Sequence, residues 1–451
     1  MTAPARVAAF HALRAIDNGS ADLPSALAKS RQHLTDDRDR SLAADIVAGT
    51  LRWQRSLDHL IVHFAKRPLE KLDADIVAVL RLSLYQLLHL TRVPASAVVD
   101  DAVDLARGAK KSSATGFVNA VLRETLRQKH RLPLPARPAD TADAAAAMAY
   151  LGITHSHPDW LVRRWLHRYG FEATERWVQF NNDTPALTLR ANLLRTTREE
   201  AQRVLESDGV ATAPTAAAPD GLVVLSGNPL HRPQDALFFV QDEASQLVAV
   251  AADAQPGERV LDLCAAPGGK TTALAAAMGD RGVIVATDIR PRRLQLLRQT
   301  VALSGSRHTH VVQVPARGPL PFTSTFDCVL VDAPCSGLGT VRRDPDIRWR
   351  RREDDLAGLA RDQLELLERA ADVVAAGGRL VYATCSSEPE ENDHVVDRFL
   401  RQRPAFQLAS LGSHPVLSRF SDERGRLRTL PFVHRLEAFF AAVLVRTDGV
   451  R

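Results

Sequence analysis

Of 451 residues only four are cysteine and three methionine, and aromatic side chains make up 5%. Cys264, Cys328, Cys335 and Cys385 form no C-x-x-C pair, which argues against a zinc ribbon or a redox dithiol, and no metal is expected. No apolar run approaches the roughly 18 residues of a membrane span. The N-terminal stretch MTAPARVAAFHALRAIDNG is helical in pattern and lacks an uninterrupted apolar core with a cleavage site, so a secretory signal is not expected. A cytoplasmic chain with reduced thiols and no membrane contact is the expectation. Lysine is also rare: residues 130–451 contain 38 arginines and one lysine, Lys270. An ammonium is a compact charge whose pKa moves on burial, whereas a guanidinium stays charged, so Lys270 marks a place that needs a small, tunable cation.

What is present is 45% hydrophobic content and a net charge of +5, enough apolar material for two or three packed domains. The charge is uneven: residues 1–140 hold 21 Lys and Arg against 15 Asp and Glu, and residues 141–451 hold 37 against 38. The basic segment shows apolar residues at helical spacing in VAAFHALRAI, in the long run RSLAADIVAGTLRWQRSLDHLIVHFA, and in ADIVAVLRLSLYQLLHL, SAVVDDAVDLAR and FVNAVLRETLRQ, predicting a five-to-seven-helix bundle. Its pattern, including Gly116-Phe117-Val118-Asn119-Ala120-Val121-Leu122-Arg123, resembles the NusB-type RNA-binding helical domain. A clustered basic surplus suits phosphate neutralisation.

Leu132-Pro133-Leu134-Pro135-Ala136-Arg137-Pro138 reads as an extended linker closing a first domain, 1–135. Residues 145–235 mix helices with short strands, as in a small α+β module, and a catalytic domain is expected over 236–451, opening near Gln241.

Within it, Cys335 in Asp332-Ala333-Pro334-Cys335 and Cys385 in Thr384-Cys385-Ser386 each end an apolar strand pattern. Open α/β sheets carry their reactive groups at carboxyl strand ends, although strand-end cysteines also serve simply as small buried residues. Two thiols have a defined use in methylating carbon 5 of a cytosine. One adds to carbon 6 and makes carbon 5 nucleophilic; a second acid/base group then helps carbon 5 lose its proton.

Upstream, Val260-Leu261-Asp262-Leu263 runs into Cys264-Ala265-Ala266-Pro267-Gly268-Gly269-Lys270-Thr271 and then a helix. Small residues and two glycines let backbone approach a ligand, and the helix start offers free N–H groups. The spacing matches neither a Walker A loop nor G-x-G-x-x-G. Val283-Ile284-Val285-Ala286-Thr287-Asp288 is a second strand ending in an acid, placed to hold ribose hydroxyls or to cap the helix at Pro291. A nucleoside cofactor without pyrophosphate, S-adenosylmethionine, fits this set.

DLCAAPGGKT (262–271), DAPCSGLGT (332–340) and YATCSSEPEEN (382–392) together resemble the Sun-type family of RNA cytosine-C5 methyltransferases. The resemblance implies Cys385 as nucleophile and Cys335 as the group assisting product release. It further implies Cys264, Ala265, Ala266, Pro267, Gly268, Gly269, Lys270 and Asp288 as cofactor-binding, and Asp332 between cofactor and base, in contact with both; Lys270, singled out by its rarity, is also a candidate catalytic residue. The family usually places an aspartate after its third strand to meet the adenine amine; here Pro315 stands there. The implied layout is a NusB-like helical bundle, a small α+β module and a Rossmann-like methyltransferase domain. It is similar to family members that act on small-subunit ribosomal RNA, so a 16S rRNA cytosine is the implied target, free or partly assembled, and a monomer the expected state. The arginine-rich stretch Val341–Arg352, with Trp349, reads as an RNA contact.

Three alternatives stay open: a cytosine of another RNA such as tRNA, methylation of an exocyclic amine, or a non-catalytic RNA-binding assembly factor. Asp332-Ala333-Pro334-Cys335 lacks the second proline and the aromatic of an amine methylase motif, and intact cysteines argue against a relic.

Overall fold

The computed structural model describes residues 2–231 and 236–447. The chain forms two compact units, Met1–Thr184 with Val341–Glu353, and Pro185–Thr340 with Asp354–Arg451.

In the first unit the helices are α1 (Pro4–Asp17), α2 (Leu23–Gln32), α3 (Asp37–Arg52), α4 (Gln54–Ala65), α5 (Ala74–His89), α6 (Ala95–Gly108), α7 (Thr115–Arg127), α8 (Ala144–Ala149) and α9 (Asp159–Asn182). Helix α5 is apolar on nearly every side and buries eleven residues from Ile76 to Leu87, as a central helix must. Asp22, Asp36 and Asp73 accept from backbone N–H groups at the starts of α2, α3 and α5, supplying the partners that helix starts lack. The long run 40–65, continuous in its periodicity, is two helices: the chain turns at Trp53 (φ −102°, ψ 10°), whose ring stacks on His89 with centroids 4.6 Å apart. Residues 132–138 form neither helix nor strand, with Leu134 N–H donating back to the Leu132 carbonyl, and Leu132 and Leu134 pack against the bundle core.

Segment Val341–Glu353 departs from its sequence reading as an RNA contact. Arg348 is fully buried. Its Nη1 donates to the carbonyls of Arg52 and Ser156 and to Asn182 Oδ1, and its Nη2 to the Asn181 carbonyl. Trp349 Nε1 donates to the Leu51 carbonyl at 2.6 Å, and the Arg342 guanidinium lies 4.0 Å from the Phe180 ring centroid. The cause is helix geometry: α3 and α9 end in carbonyls with no intrahelical donor, and a guanidinium carries five donors in a fixed fork. Arg350 and Arg352 of the same segment remain exposed.

The second unit begins with a four-stranded antiparallel sheet in the order β2-β3-β1-β4, from β1 (Thr188–Ala191), β2 (Ala211–Pro214), β3 (Gly221–Ser226) and β4 (Phe238–Val240). Helix Arg198–Ser207 packs on it through Ala201 and Leu205.

The larger sheet is built from β5 (Arg259–Asp262), β6 (Val283–Asp288), β7 (Thr309–Gln313), β8 (Phe326–Asp332), β9 (Val374–Thr384), β10 (Phe406–Ala409), β11 (Leu427–Arg428) and β12 (Phe440–Arg446). Its order is β10-β12-β9-β8-β5-β6-β7, with β11 paired to β12. Strands β5 to β9 pair in parallel, and β12 runs antiparallel between β9 and β10. Apolar clusters cover both faces, so strands such as Cys328–Val331 are buried throughout, as parallel sheets require. The strand order reverses at β5 and β8, which opens a crevice at their carboxyl ends. This is the expected Rossmann-like methyltransferase sheet.

Candidate active site

Five strand ends or the turns that follow them supply the site. After β5 comes the turn Leu263–Gly268, leading into helix Gly269–Ala277. Ala265 N–H donates to the Thr287 carbonyl and Gly268 N–H to the Ala265 carbonyl, which fixes the loop to β6. Gly268 sits at φ +109°, a conformation that calls for glycine, and a Cβ there would also crowd the Leu297 and Thr300 side chains at 3.0–3.1 Å. The first turn of this helix carries backbone N–H groups with no intrahelical partner, the arrangement that favours a polar or anionic ligand.

Asp262 ends β5 fully buried. Thr271 donates to its Oδ2 at 2.7 Å, and its Oδ1 has no partner among the described residues. Burial raises its pKa from 3.8 to about 7; the Thr271 hydrogen bond opposes the rise, Asp332 adds to it, and Lys270 opposes it. Cys264 is pushed well above the ordinary thiol range, first by burial and then by the charges of Asp262, Asp332 and Asp288, so it acts as a small neutral side chain. Asp288 ends β6 with 5% exposure; its Oδ1 accepts from Arg290 N–H at 2.9 Å, which caps the turn, while Arg290 holds the N-cap position of the next helix. After β7, the carbonyls of Pro315 and Ala316 accept from Arg369. An orphaned carboxylate oxygen, a glycine-lined helix start and an acid at the next strand end fit a nucleoside with a charged amino-acid arm. Sequence reasoning missed Asp262, although it opens the quoted motif.

Lys270, in the first turn of the helix, donates from Nζ to Asp332 Oδ2 at the end of β8 at 2.7 Å. Burial lowers its pKa, but Asp332, then Cys385 and Asp262, more than offset this and hold the ammonium above its ordinary value.

The cysteines meet. Cys335 Sγ and Cys385 Sγ are 3.2 Å apart, because β8 and β9 are parallel neighbours in register from Cys328 and Arg379 to Asp332 and Ala383. The hydrogen bond to Cys385, then burial, then the charges of Cys385 and Glu391 push the Cys335 thiol well above its ordinary pKa. Cys328 lies in the sheet core, fully buried. The residues chosen for cofactor binding and catalysis therefore lie at neighbouring strand ends of one sheet.

This sheet and this crevice define an S-adenosylmethionine-dependent methyltransferase. Three family models match: 16S rRNA methyltransferase RsmB/F over residues 249–445, the NusB family over 3–127, and the RsmF/B-like ferredoxin-like domain over 157–231. The chain is 34% identical to the probable ribosomal RNA small subunit methyltransferase B of Bacillus subtilis, covering 90% of each chain. It is 35% identical to the corresponding Synechocystis protein, covering 98% of this chain and 99% of that one. The crystal structure of PH0851 superposes with a TM-score of 0.80 at 28% identity, over 98% of this chain and 99% of the other. The chain belongs to the RsmB/F family of rRNA methyltransferases.

Proposed function

We propose that this protein transfers a methyl group from S-adenosylmethionine to carbon 5 of a cytosine in 16S rRNA, through a covalent bond from Cys385 to carbon 6. The observation that carries this reading is the pair of sulfurs 3.2 Å apart beside the Lys270–Asp332 ion pair.

Bound in the crevice, S-adenosylmethionine supplies an electrophilic methyl group on a sulfonium. Cys264 to Lys270 and Asp288 are the residues that would hold it. Cys385 attacks as thiolate, with Cys335 as the hydrogen-bonding thiol and the Lys270 ammonium favouring the negative sulfur. The new sulfur–carbon 6 bond moves the ring electrons toward carbon 5, which takes the methyl. Asp332 accepts from the exocyclic amine and holds the base in place. Cys335 then loses its proton to solvent, and its thiolate takes the carbon 5 proton. The carbon 5–carbon 6 double bond re-forms and Cys385 leaves as thiolate, so one proton is released per turnover. Carbon 6 is out of reach in a stacked base, so the target cytosine is flipped or unstacked.

Every residue in this scheme comes from one chain, which fits a monomer, and a ribosomal RNA substrate fits a cytoplasmic enzyme. The test is to incubate the protein with methyl-labelled S-adenosylmethionine and a mixture of unmodified small-subunit rRNA and unmodified tRNA, and to map the label. Label on carbon 5 of a cytosine is expected; label on an exocyclic amine, label confined to tRNA, or no label overturns the reading.

A further inference from the structure

We infer that Glu391 is a positioning residue, clamping the turn after each cysteine strand so that the two sulfurs are held in register. The inference rests on the roles proposed above for Cys335 and Cys385.

Each cysteine is followed by a serine, and both serines converge on this one carboxylate. Glu391 is fully buried, and Ser336 and Ser386 are each 1% exposed. Oε1 accepts from Ser336 N–H at 2.7 Å and from Gln363 Nε2 at 2.9 Å. Oε2 accepts from Ser336 Oγ at 2.5 Å and from Ser386 Oγ. The two hydroxyl oxygens are themselves 3.2 Å apart. Four donors fill the acceptor capacity of a carboxylate, and none of these four is a cation.

The clamp extends outward. Gln363 donates its second Nε2 hydrogen to the Pro334 carbonyl, just before Cys335, at 3.0 Å. Tyr382, on the cysteine strand itself, donates to the Glu391 carbonyl at 2.5 Å. A backbone tie parallels the side-chain one: Gly339 N–H donates to the Cys385 carbonyl at 2.9 Å. A Cβ at Gly339 would fall 1.9 Å from the Ala438 carbonyl oxygen, so no larger residue permits that approach.

This arrangement does more than hold a fold together. Two thiols with separate jobs on one base need a fixed separation, because small misplacements of reacting groups cost large factors in rate. The clamp is also asymmetric, since Glu391 hydrogen-bonds the backbone N–H beside Cys335 and only the side chain beside Cys385. Its negative charge therefore favours the protonated form of Cys335, while the Lys270 ammonium is coupled to the charge of Cys385.

The experiment compares wild type with Glu391→Gln, Ser386→Ala and the double variant, measuring carbon 5 labelling of rRNA and cofactor affinity. Glu391→Gln keeps the side-chain volume and turns one of the two acceptor oxygens into a donor. The expected result is a fall in kcat of about tenfold or more with KM for RNA and cofactor affinity changed by less than about twofold. The double variant is expected to be no worse than Glu391→Gln alone, because the serine acts through the carboxylate. Should Glu391→Gln fail to fold, Ser386→Ala and Ser336→Ala carry the test by the same split. Wild-type labelling of carbon 5 with unchanged kcat in the variants, a rise in KM matching the fall in kcat, or additive losses overturns the inference alone. A wild type that leaves carbon 5 unlabelled overturns it together with the cysteine roles.

Discussion

Lys270 Nζ bonds Asp332 Oδ2 at 2.7 Å and lies 5.8 Å from the centroid of the Phe439 ring, so one ammonium bridges the cofactor turn after β5 to the acid at the end of β8. The pair is part-buried, with side chains 12% and 30% exposed. Lys270→Met removes the cation and leaves Asp332 without it. A charged hydrogen bond of this kind is worth about 1.5–3 kcal/mol, so single-turnover methylation is expected to fall by about ten- to a hundredfold. Lys270→Arg is expected to restore little, because the planar guanidinium does not fit a point-charge site. Full activity in Lys270→Arg would show that only charge matters there.

Substitution separates the two cysteines. Cys385→Ala is expected to abolish both methylation and any covalent complex with RNA. Cys335→Ala is expected to leave the carbon 6 bond formed and unreleased, read as a slow-migrating RNA–protein band on a denaturing gel. An adduct formed by Cys385→Ala would reassign the nucleophile.

Asp262 gives a pH signature. Its pKa rises from 3.8 to about 7, with burial as the main cause. An acid whose folded pKa is raised stabilises the fold fully below its unfolded value and loses that contribution as pH climbs through the folded value. The melting temperature of wild type relative to Asp262→Asn should therefore decline from about pH 4 to about pH 7 and level off above it. The total is about 4 kcal/mol at most, at 1.36 kcal/mol per pKa unit. A difference that is flat with pH would refute the assignment.

Arg348→Ala tests whether that arginine serves the fold. Losing it leaves the carbonyls of Arg52, Ser156 and Asn181 without its donors, for a cost of about 1–3 kcal/mol for each buried group left unsatisfied. All five tryptophans, Trp53, Trp160, Trp165, Trp177 and Trp349, lie in the helical unit, so tryptophan fluorescence during denaturant unfolding follows that unit. A phosphate contact would instead lower the salt dependence of RNA binding by a slope of about 1; no change in slope is expected.

The crevice was legible because its parts are strand ends. Cys335, Cys385, Asp288 and the turn from Cys264 to Lys270 each follow an apolar run, and parallel pairing alone brings such ends to one edge. Glu391 was harder to read: an acid within a loop carries no period, and its four donors come from three separate segments. The break at Trp53 was hidden because apolar spacing continues through it. Arg348 was misread because composition does not distinguish a guanidinium that satisfies helix-end carbonyls from one that awaits phosphate. Strands β2, β4 and β11 are too short to register as alternation.

The excursion Val341–Glu353 bears on how the chain is made. A ribosome delivers helices α1 to α9 first, yet the guanidinium that closes the ends of α3 and α9 arrives only after β5, β6, β7 and β8 have been synthesised. Until then the carbonyls that Arg348 will engage must be served by water, and the nascent bundle stays incomplete. A fragment ending at Thr184 would inherit that defect permanently, so the helical unit matures only when half of the strands of the methyltransferase sheet have been made.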